Sequence, residues 1–221
     1  MAITSRNVPD ESFLDATRDS YDATVVEYVE MVQGTLEARP LDRALLAVFA
    51  ELVSAGDNHL VADVGCGPGR VTIFLSRLGV EAFGIDLSPN MINYARRSYP
   101  DLRFEVGSML DLNMPDSFLG GLLAYYSIIH VPWERRADVL AEFCRVLAPG
   151  GQLLLVFQIG SEKQHRDELF GKPINCDWYR QQPDDLVELL RTAGFTIGST
   201  TVREAKDADS LPQGFIIAAK S

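Results

Sequence analysis

The sequence has few cysteines, few basic residues and no long apolar run, and each shortage excludes a class of protein. The three cysteines among 221 residues are unevenly spaced and form neither a disulfide framework nor a CxxC metal pattern. We therefore expect a reducing compartment and no metal site. The start, MAITSRNVPDESF, lacks the basic and apolar regions of a secretory signal, and no apolar run approaches the length of a bilayer span. These shortages predict a soluble, cytoplasmic protein.

Positive charge is also scarce, since 31 acidic residues face 20 basic ones and the formal net charge is −11. Phosphate backbones and anionic membrane surfaces are bound through clustered lysine and arginine, so we expect neither nucleic acid nor a membrane as a partner. The short basic pairs at Arg96–Arg97 and Arg135–Arg136 are typical of solvated helix faces. No repeat or coiled coil forces assembly, and the oligomeric state stays unknown.

Apolar residues, in contrast, make up 47% of the chain, enough for one sizeable core, and the length favours a single domain over residues 1–221. Before residue 58 their spacing is helical. We expect a cap of two helices within residues 1–57, one of them carrying a single stripe of four residues at i, i+4, i+7 and i+11: Tyr21, Val25, Tyr28 and Val32.

Residues 58–221 alternate short apolar strands with amphipathic helices. The expected strands are HLVADV, EAFGI, LRFEV, LGGLLAYYS, QLLLVFQI, FTIGSTTV and GFIIAAK; the expected helices begin at Arg70, Pro89, Trp133 and Pro183. This order predicts an α/β fold with a doubly wound, seven-stranded, mostly parallel sheet. The last two strands have no helix between them, so we expect an antiparallel strand at the carboxyl end. Residues 160–182 form a polar connection that we expect to be a lid insertion.

The stretch VADVGCGPGR carries the clearest motif, a buried strand that runs into a glycine turn. Ligands of such sheets bind where the carboxyl ends of the strands meet, so the loops after Asp63, Ile85, Val106 and Tyr126 should open onto one crevice. A dinucleotide fingerprint, GxGxxG, fits poorly because its third glycine falls one residue early. Asp86 lies one strand on, where a carboxylate accepts the hydroxyl hydrogens of a ribose in either interpretation.

These motifs resemble those of the class I S-adenosylmethionine-dependent methyltransferases. The matching segments, in the family's order, are VADVGCGPG, GIDLSPNMINYAR, FEVGSMLDL, LLAYYSIIHV, VLAPGGQLLLV and PDDLVELLRTAGF. The resemblance runs from about Leu60 to residue 221 and implies a Rossmann-like methyltransferase fold with S-adenosylmethionine as the cofactor.

The resemblance also implies roles for single residues on the cofactor side. Asp63 should orient the glycine loop and meet the cofactor's ammonium group, directly or through water, and Asp86 should take the ribose hydroxyls. Ser108 stands at the position where the family often has an acid that accepts a hydrogen bond from the adenine amino group. At this position the chain departs from the family's pattern for adenine recognition. The other implied contacts are Gly65, Cys66 and Gly67 along the amino acid and ribose, Leu87, Met91 and Met109 at the adenine, Tyr126 and Ser127 at the methionine half, and Tyr21 and Tyr28 as a helical cover.

On the acceptor side, His130 follows the fourth strand, where a neutral imidazole can take a proton from a hydroxyl or amine. The alternative is that His130 orders its loop. Tyr125, Trp133 and Trp178 are candidates for the wall of an acceptor pocket, although aromatic residues at strand ends and helix starts are often structural.

The resemblance thus implies methyl transfer to a small molecule by in-line displacement at the sulfonium carbon. Two other hypotheses remain open. One is a cofactor-binding accessory protein without catalysis, indicated by Ser108, and the other is a nicotinamide-dependent oxidoreductase.

Overall fold

The computed structural model describes residues 11–205 and 211–221; residues 1–10 of the expected cap lie outside the described residues. The helices are α1 (Ser12–Ala23), α2 (Val25–Val32), α3 (Pro40–Ser54), α4 (Arg70–Arg77), α5 (Pro89–Ser98), α6 (Arg136–Val146) and α7 (Pro183–Thr192). The strands are β1 (Leu60–Val64), β2 (Glu81–Asp86), β3 (Phe104–Val106), β4 (Leu119–Tyr125), β5 (Leu147–Gln158), β6 (Lys163–Leu169), β7 (Lys172–Tyr179), β8 (Phe195–Arg203) and β9 (Gln213–Lys220). Within these ranges, no helix is long and apolar enough to cross a membrane.

Seven strands form one sheet in the order β3-β2-β1-β4-β5-β9-β8. The pairs from β3 to β5 are parallel, and β9 pairs antiparallel with both of its neighbours. The expected seven-stranded, mostly parallel sheet with an antiparallel strand near the carboxyl end is confirmed. The order reverses between β1 and β4, so the crevice opens where the carboxyl ends of these two strands diverge.

Both faces of the sheet are covered, which is why its inner strands read as continuous apolar runs. Phe143 of α6 and Leu190 of α7 are fully buried on one face, while Phe49 of α3 and Leu75 of α4 are fully buried on the other. Gly120 in β4 packs closely against the backbone before β1, because a Cβ there would lie 1.7 Å from the carbonyl oxygen of Asn58.

The expectation of two helices before the first strand is wrong, because the structure has three. The single stripe from Tyr21 to Val32 is divided at Thr24, whose φ of −118° lies outside the helical range. The Thr24 hydroxyl donates a 2.9 Å hydrogen bond to the carbonyl oxygen of Ser20, so the side chain competes locally with the helix. The break lets the stripe turn around the crevice instead of running straight past it.

Two further expectations about element type are corrected. The polar connection over residues 160–182 is not a loop: β6 and β7 form an antiparallel hairpin there, with a bulge between Arg166 and Glu168. The helix expected from Trp133 to Leu147 begins with a 3₁₀ turn and is α-helical only from Arg136 to Val146. Leu147 already belongs to β5, since that strand includes the APGG segment.

Candidate functional site

A cavity of about 800 Å³, partly open to solvent, lies at the carboxyl ends of β1, β2, β3 and β4. Helix α1 covers it, and Tyr28 of α2 contributes to its wall. Loops after four different strands thus meet at one place, as the alternation of strands and helices predicts.

The glycine loop after β1 is held in shape by its own N–H groups. Gly65 and Gly67 have φ values of 75° and 55°, which favour glycine. The Gly65 and Cys66 N–H groups both donate to the carbonyl oxygen of Ile85, at 2.7 and 3.0 Å. At Gly65 a Cβ would lie 2.1 Å from the Cβ of Ser127, so the exit of β4 leaves no room for a larger residue. The loop therefore presents a bare backbone surface to the cavity.

Asp86, the last residue of β2, fixes the far side of the loop. Its two carboxylate oxygens accept hydrogen bonds from the N–H groups of Gly67 at 2.7 Å and Ser88 at 2.8 Å. Burial raises the pKa of Asp86 to about 6 despite these donors. Each oxygen retains a further lone pair on the cavity side, so the group can accept from a vicinal diol.

Asp63 and Cys66 lie outside the cavity wall. One Asp63 oxygen accepts a 2.7 Å hydrogen bond from the Thr72 hydroxyl, and its other oxygen, Oδ1, is buried without a partner. Burial raises the pKa of Asp63 to about 7. Cys66 packs against Ile92 and Phe104, and burial raises the pKa of its thiol, so packing rather than reactivity explains this cysteine.

Three successive residues stand at the exit of β4. The Tyr125 hydroxyl donates a hydrogen bond to Asp42, and the Ser127 hydroxyl donates a 2.6 Å hydrogen bond to the carbonyl oxygen of Val64. Between them, the backbone of Tyr126 adopts a left-handed conformation with a φ of 56°. All three line the cavity. A tyrosine at positive φ is uncommon, and strain of this kind concentrates at functional sites.

Tyr21 and His130 form a hydrogen-bonded pair at the cavity wall. The distance from the Tyr21 hydroxyl oxygen to His130 Nε2 is 2.8 Å, and His130 Nδ1 lies 3.1 Å from the backbone carbonyl oxygen of Asp177. A carbonyl only accepts, so Nδ1 carries the proton and Nε2 accepts from Tyr21. Burial lowers the pKa of His130 to about 4, which keeps the imidazole neutral at physiological pH.

The two tryptophans differ from what the sequence predicts. The indole N–H of Trp133 donates a 3.1 Å hydrogen bond to the carbonyl oxygen of Arg180, and the residue is 42% exposed outside the cavity wall. Trp178 stacks edge-on behind His130, with ring centroids 5.5 Å apart, and is not a lining residue either. Both therefore support the wall of the cavity from outside.

The remaining expected residues line the cavity: Tyr28, Leu87, Met91, Ser108 and Met109. Sequence reasoning missed nine others, which are Phe13, Leu14, Thr17, Arg18, Val64, Ser88, Gly107, Leu110 and Val131. The spacing of Phe13, Thr17 and Tyr21, four residues apart, is a helical signal that would have extended the cover to the start of α1.

Comparisons with known proteins agree with this geometry. A family model described as a methyltransferase domain matches residues 61–151. The O-methyltransferase cnsE of Penicillium expansum is 30% identical over 74% of this chain and 61% of its own length. Phosphoethanolamine N-methyltransferase 1 of Arabidopsis thaliana is 28% identical over 67% of this chain and 31% of its own length, so the chain spans less than two thirds of these relatives.

Among solved structures, the 1,6-didemethyltoxoflavin-N1-methyltransferase of Burkholderia thailandensis, with its substrate and S-adenosylhomocysteine bound, has the same fold. Its TM-score is 0.72 at 17% identity, over 99% of this chain and 93% of that one.

Proposed function

We propose that the chain is a class I S-adenosylmethionine-dependent methyltransferase, which binds S-adenosylmethionine and transfers its methyl group in line to a hydroxyl group of a small molecule. When bound, S-adenosylmethionine supplies a methyl group that its sulfonium already activates. The protein's task is then to align the acceptor, exclude water and accept a proton.

The residues of the cavity fit this cofactor better than a dinucleotide. The N–H groups of Gly65, Cys66 and Gly67 are all used within the protein, which leaves the loop without donors for a pyrophosphate. Asp86, which lines the cavity, suits the ribose hydroxyls. Asp63 lies outside the wall and accepts a hydrogen bond from Thr72 of α4, so the expected contact with the ammonium group has no support from its position. The nicotinamide alternative is set aside because the loop lacks these donors.

The Tyr21–His130 pair carries the proposal of a hydroxyl acceptor. Since Nδ1 of His130 is held by Asp177, Nε2 is fixed as the atom that can receive a proton. An acceptor hydroxyl that donates to the Tyr21 oxygen would lose its proton through Tyr21 to Nε2, as the new carbon–oxygen bond forms. Burial lowers the pKa of His130 to about 4, so Nε2 stays unprotonated and continues to accept from Tyr21 throughout the physiological range.

The cover of the cavity supports the division into a cap, residues 1–57, and a core, residues 58–221, with residues 160–182 as a lid. The backbone N–H of Asn175 in β7 donates to the Ser20 hydroxyl, and Lys172 donates a 2.8 Å hydrogen bond to the carbonyl oxygen of Ala23. Helix α1 and the hairpin therefore close as one unit. Removing residues 1–36 should impair cofactor retention while the sheet stays folded; full activity of the truncated protein would contradict this role.

The acidic charge of −11 and the shortage of cysteine support a small-molecule acceptor in the cytoplasm rather than a nucleic acid or membrane partner. A single domain over residues 1–221 is part of the same proposal.

The test begins with calorimetric titration by S-adenosylmethionine, S-adenosylhomocysteine and NAD, with Asp86→Ala beside the wild type. Release of S-adenosylhomocysteine is then measured with a panel of phenols and aliphatic alcohols at several pH values. We expect His130→Gln and Tyr21→Phe to retain cofactor binding but to lose about tenfold or more in turnover. The control is His59→Gln, an exposed histidine at the opposite end of β1. The proposal would be refuted if only NAD bound. It would also be refuted if His130→Gln and Tyr21→Phe turned over a hydroxyl acceptor at the wild-type rate.

A further inference from the structure

The cavity has an end beside His130 and an end beside Asp86, and helix α1 connects the two. Glu11, next to the start of α1, lies 3.8 Å from Arg135, so this end of the helix sits beside the turn that follows His130. The other end is held at α5, where Asp22 accepts a hydrogen bond from the Asn90 N–H at 3.0 Å. Helix α1 thus runs from the acceptor side to the side of Asp86, which places Phe13 and Leu14 on the acceptor side.

The side chains at this end are mainly apolar. Phe13, Leu14 and Thr17 of α1 contribute one wall, and Val131, which follows His130, contributes to the rest. The polar lining groups that follow Leu14 along the helix are the Thr17 hydroxyl, the Arg18 guanidinium and, one turn after Thr17, the Tyr21 hydroxyl, which contacts His130. A molecule bound here would bury carbon surface and present a single hydrogen-bonding group to Tyr21.

Charge is sparse among the lining residues that the structure describes. Asp86 and Arg18 carry the formal charges there, since burial keeps His130 neutral. Arg18 is already paired, with Asp15 at 2.7 Å and Asp19 at 3.0 Å. A phosphate or carboxylate that entered would lose its hydration, meet no unpaired cation among these residues and face the charge of Asp86.

We propose that the acceptor is an uncharged, mainly apolar molecule that presents a hydroxyl to Tyr21, with Phe13, Leu14 and Val131 selecting against anions. This inference rests on the proposed function, because it concerns the acceptor of the same site. It separates this chain from the relative that is named for phosphoethanolamine, a zwitterion with a phosphate group.

The test uses two probes of the same shape and different charge. The full chain is saturated with S-adenosylhomocysteine and titrated with 4-propylphenol and with 3-(4-hydroxyphenyl)propanoate, which carries a carboxylate in place of the terminal methyl group; phosphoethanolamine is the third ligand. We expect the neutral phenol to bind about tenfold or more tightly than either anionic ligand. Equal or tighter binding of the propanoate or of phosphoethanolamine overturns the inference, and so does failure of the phenol to bind.

A charge variant tests the location. In Leu14→Arg the new cation stands in the apolar wall, so the ratio of the two affinities should shift toward the propanoate by about tenfold. The control is Val26→Arg, which places the same charge on a residue of α2 that is 63% exposed and outside the wall. An unchanged ratio in Leu14→Arg overturns the placement. If Leu14→Arg does not fold, the affinities of the neutral and anionic probes for the wild type still test whether the acceptor is uncharged.

Failure of this inference differs from failure of the proposed function. Absence of S-adenosylhomocysteine binding, or absence of turnover with every hydroxyl acceptor, counts against methyl transfer. Cofactor binding with a preference for the anionic probe counts against the acceptor class alone.

Discussion

The Tyr125 hydroxyl donates a 2.6 Å hydrogen bond to the Asp42 carboxylate, and this contact joins the end of β4 to helix α3 inside the protein. Arg203 of β8 lies 3.1 Å from the other carboxylate oxygen, and Asp42 is fully buried. Three elements that are distant along the chain therefore meet at one carboxylate beside the cavity.

The first prediction concerns this carboxylate. Asp42→Ala should lower the free energy of unfolding by about 3–5 kcal/mol, because it removes the carboxylate that a mostly buried guanidinium and a buried hydroxyl both contact. Tyr125→Phe should cost only about 1–2 kcal/mol, since the ion pair remains. Urea denaturation measures both. Asp116→Ala, at an acid with a 79% exposed side chain, is the control and should change little. Equal effects at positions 42 and 116 would disprove the role of the cluster.

The second prediction separates crowding from backbone strain at the glycine loop. Gly65→Ala and Gly171→Ala introduce the same methyl group at φ values of 75° and 74°, but only the first meets a neighbour within 4 Å. Both variants carry the strain of a side chain at positive φ. Gly65→Ala should lower the free energy of unfolding by about 2 kcal/mol more than Gly171→Ala does, because of the added crowding. It should also abolish binding of S-adenosylhomocysteine. Equal losses of stability in the two variants would mean that Ser127 moves aside and makes room for the methyl group.

The third prediction concerns the hydrogen bonds that join α1 to the start of α5. The Asp22 carboxylate accepts from the Ser88 hydroxyl and, at 3.0 Å, from the Asn90 N–H. Asp22→Ala should raise the dissociation rate of S-adenosylhomocysteine by about tenfold, because charge-assisted hydrogen bonds that hold the cover are lost. Stopped-flow displacement by excess S-adenosylmethionine measures the rate. Asp19→Ala, whose side chain is 70% exposed on the same helix, should leave it unchanged. A dissociation rate that stays at the wild-type value in Asp22→Ala would show that this contact does not retain the ligand.

The fourth prediction follows from the neutral His130. Its folded pKa of about 4 lies below the unfolded value of 6.5. Below pH 6.5 the unfolded chain therefore binds more protons, so this group's stabilising contribution is complete above pH 6.5 and declines as the pH falls toward 4.

Between pH 7 and pH 5 the wild type should lose about 2 kcal/mol more stability than His130→Gln, which cannot titrate. Urea denaturation at both values gives the difference and cancels the contributions of the other acids, Asp63 and Asp86 among them. Identical losses would mean that the imidazole is solvated.

The sequence predicts the sheet well because its signals are local and repeated. Each strand is a short apolar run, each helix has a stripe, and the glycine turn and Asp86 lie at strand ends, where parallel topology brings them together.

What the sequence does not predict depends on contacts between distant segments. The break at Thr24 coincides with a side-chain hydrogen bond to Ser20. The hairpin over residues 163–179 is too polar to be recognised as strands, because buried and exposed residues alternate only weakly along it. Trp178 faces His130 rather than the cavity because of this hairpin. The partner of His130 Nδ1 is likewise a backbone carbonyl of β7, which no residue type at position 177 reveals.

Strand β9 lies between β5 and β8, yet the ribosome makes it after both. Until residues 213–220 emerge, β8 has no partner in the sheet and β5 presents an open edge that includes the apolar segment from Leu153 to Phe157. An open apolar edge is a template for pairing with other chains. The nascent protein thus carries a risk of aggregation from the synthesis of β5 until that of β9, and the insertion of β9 ends that risk by filling the gap.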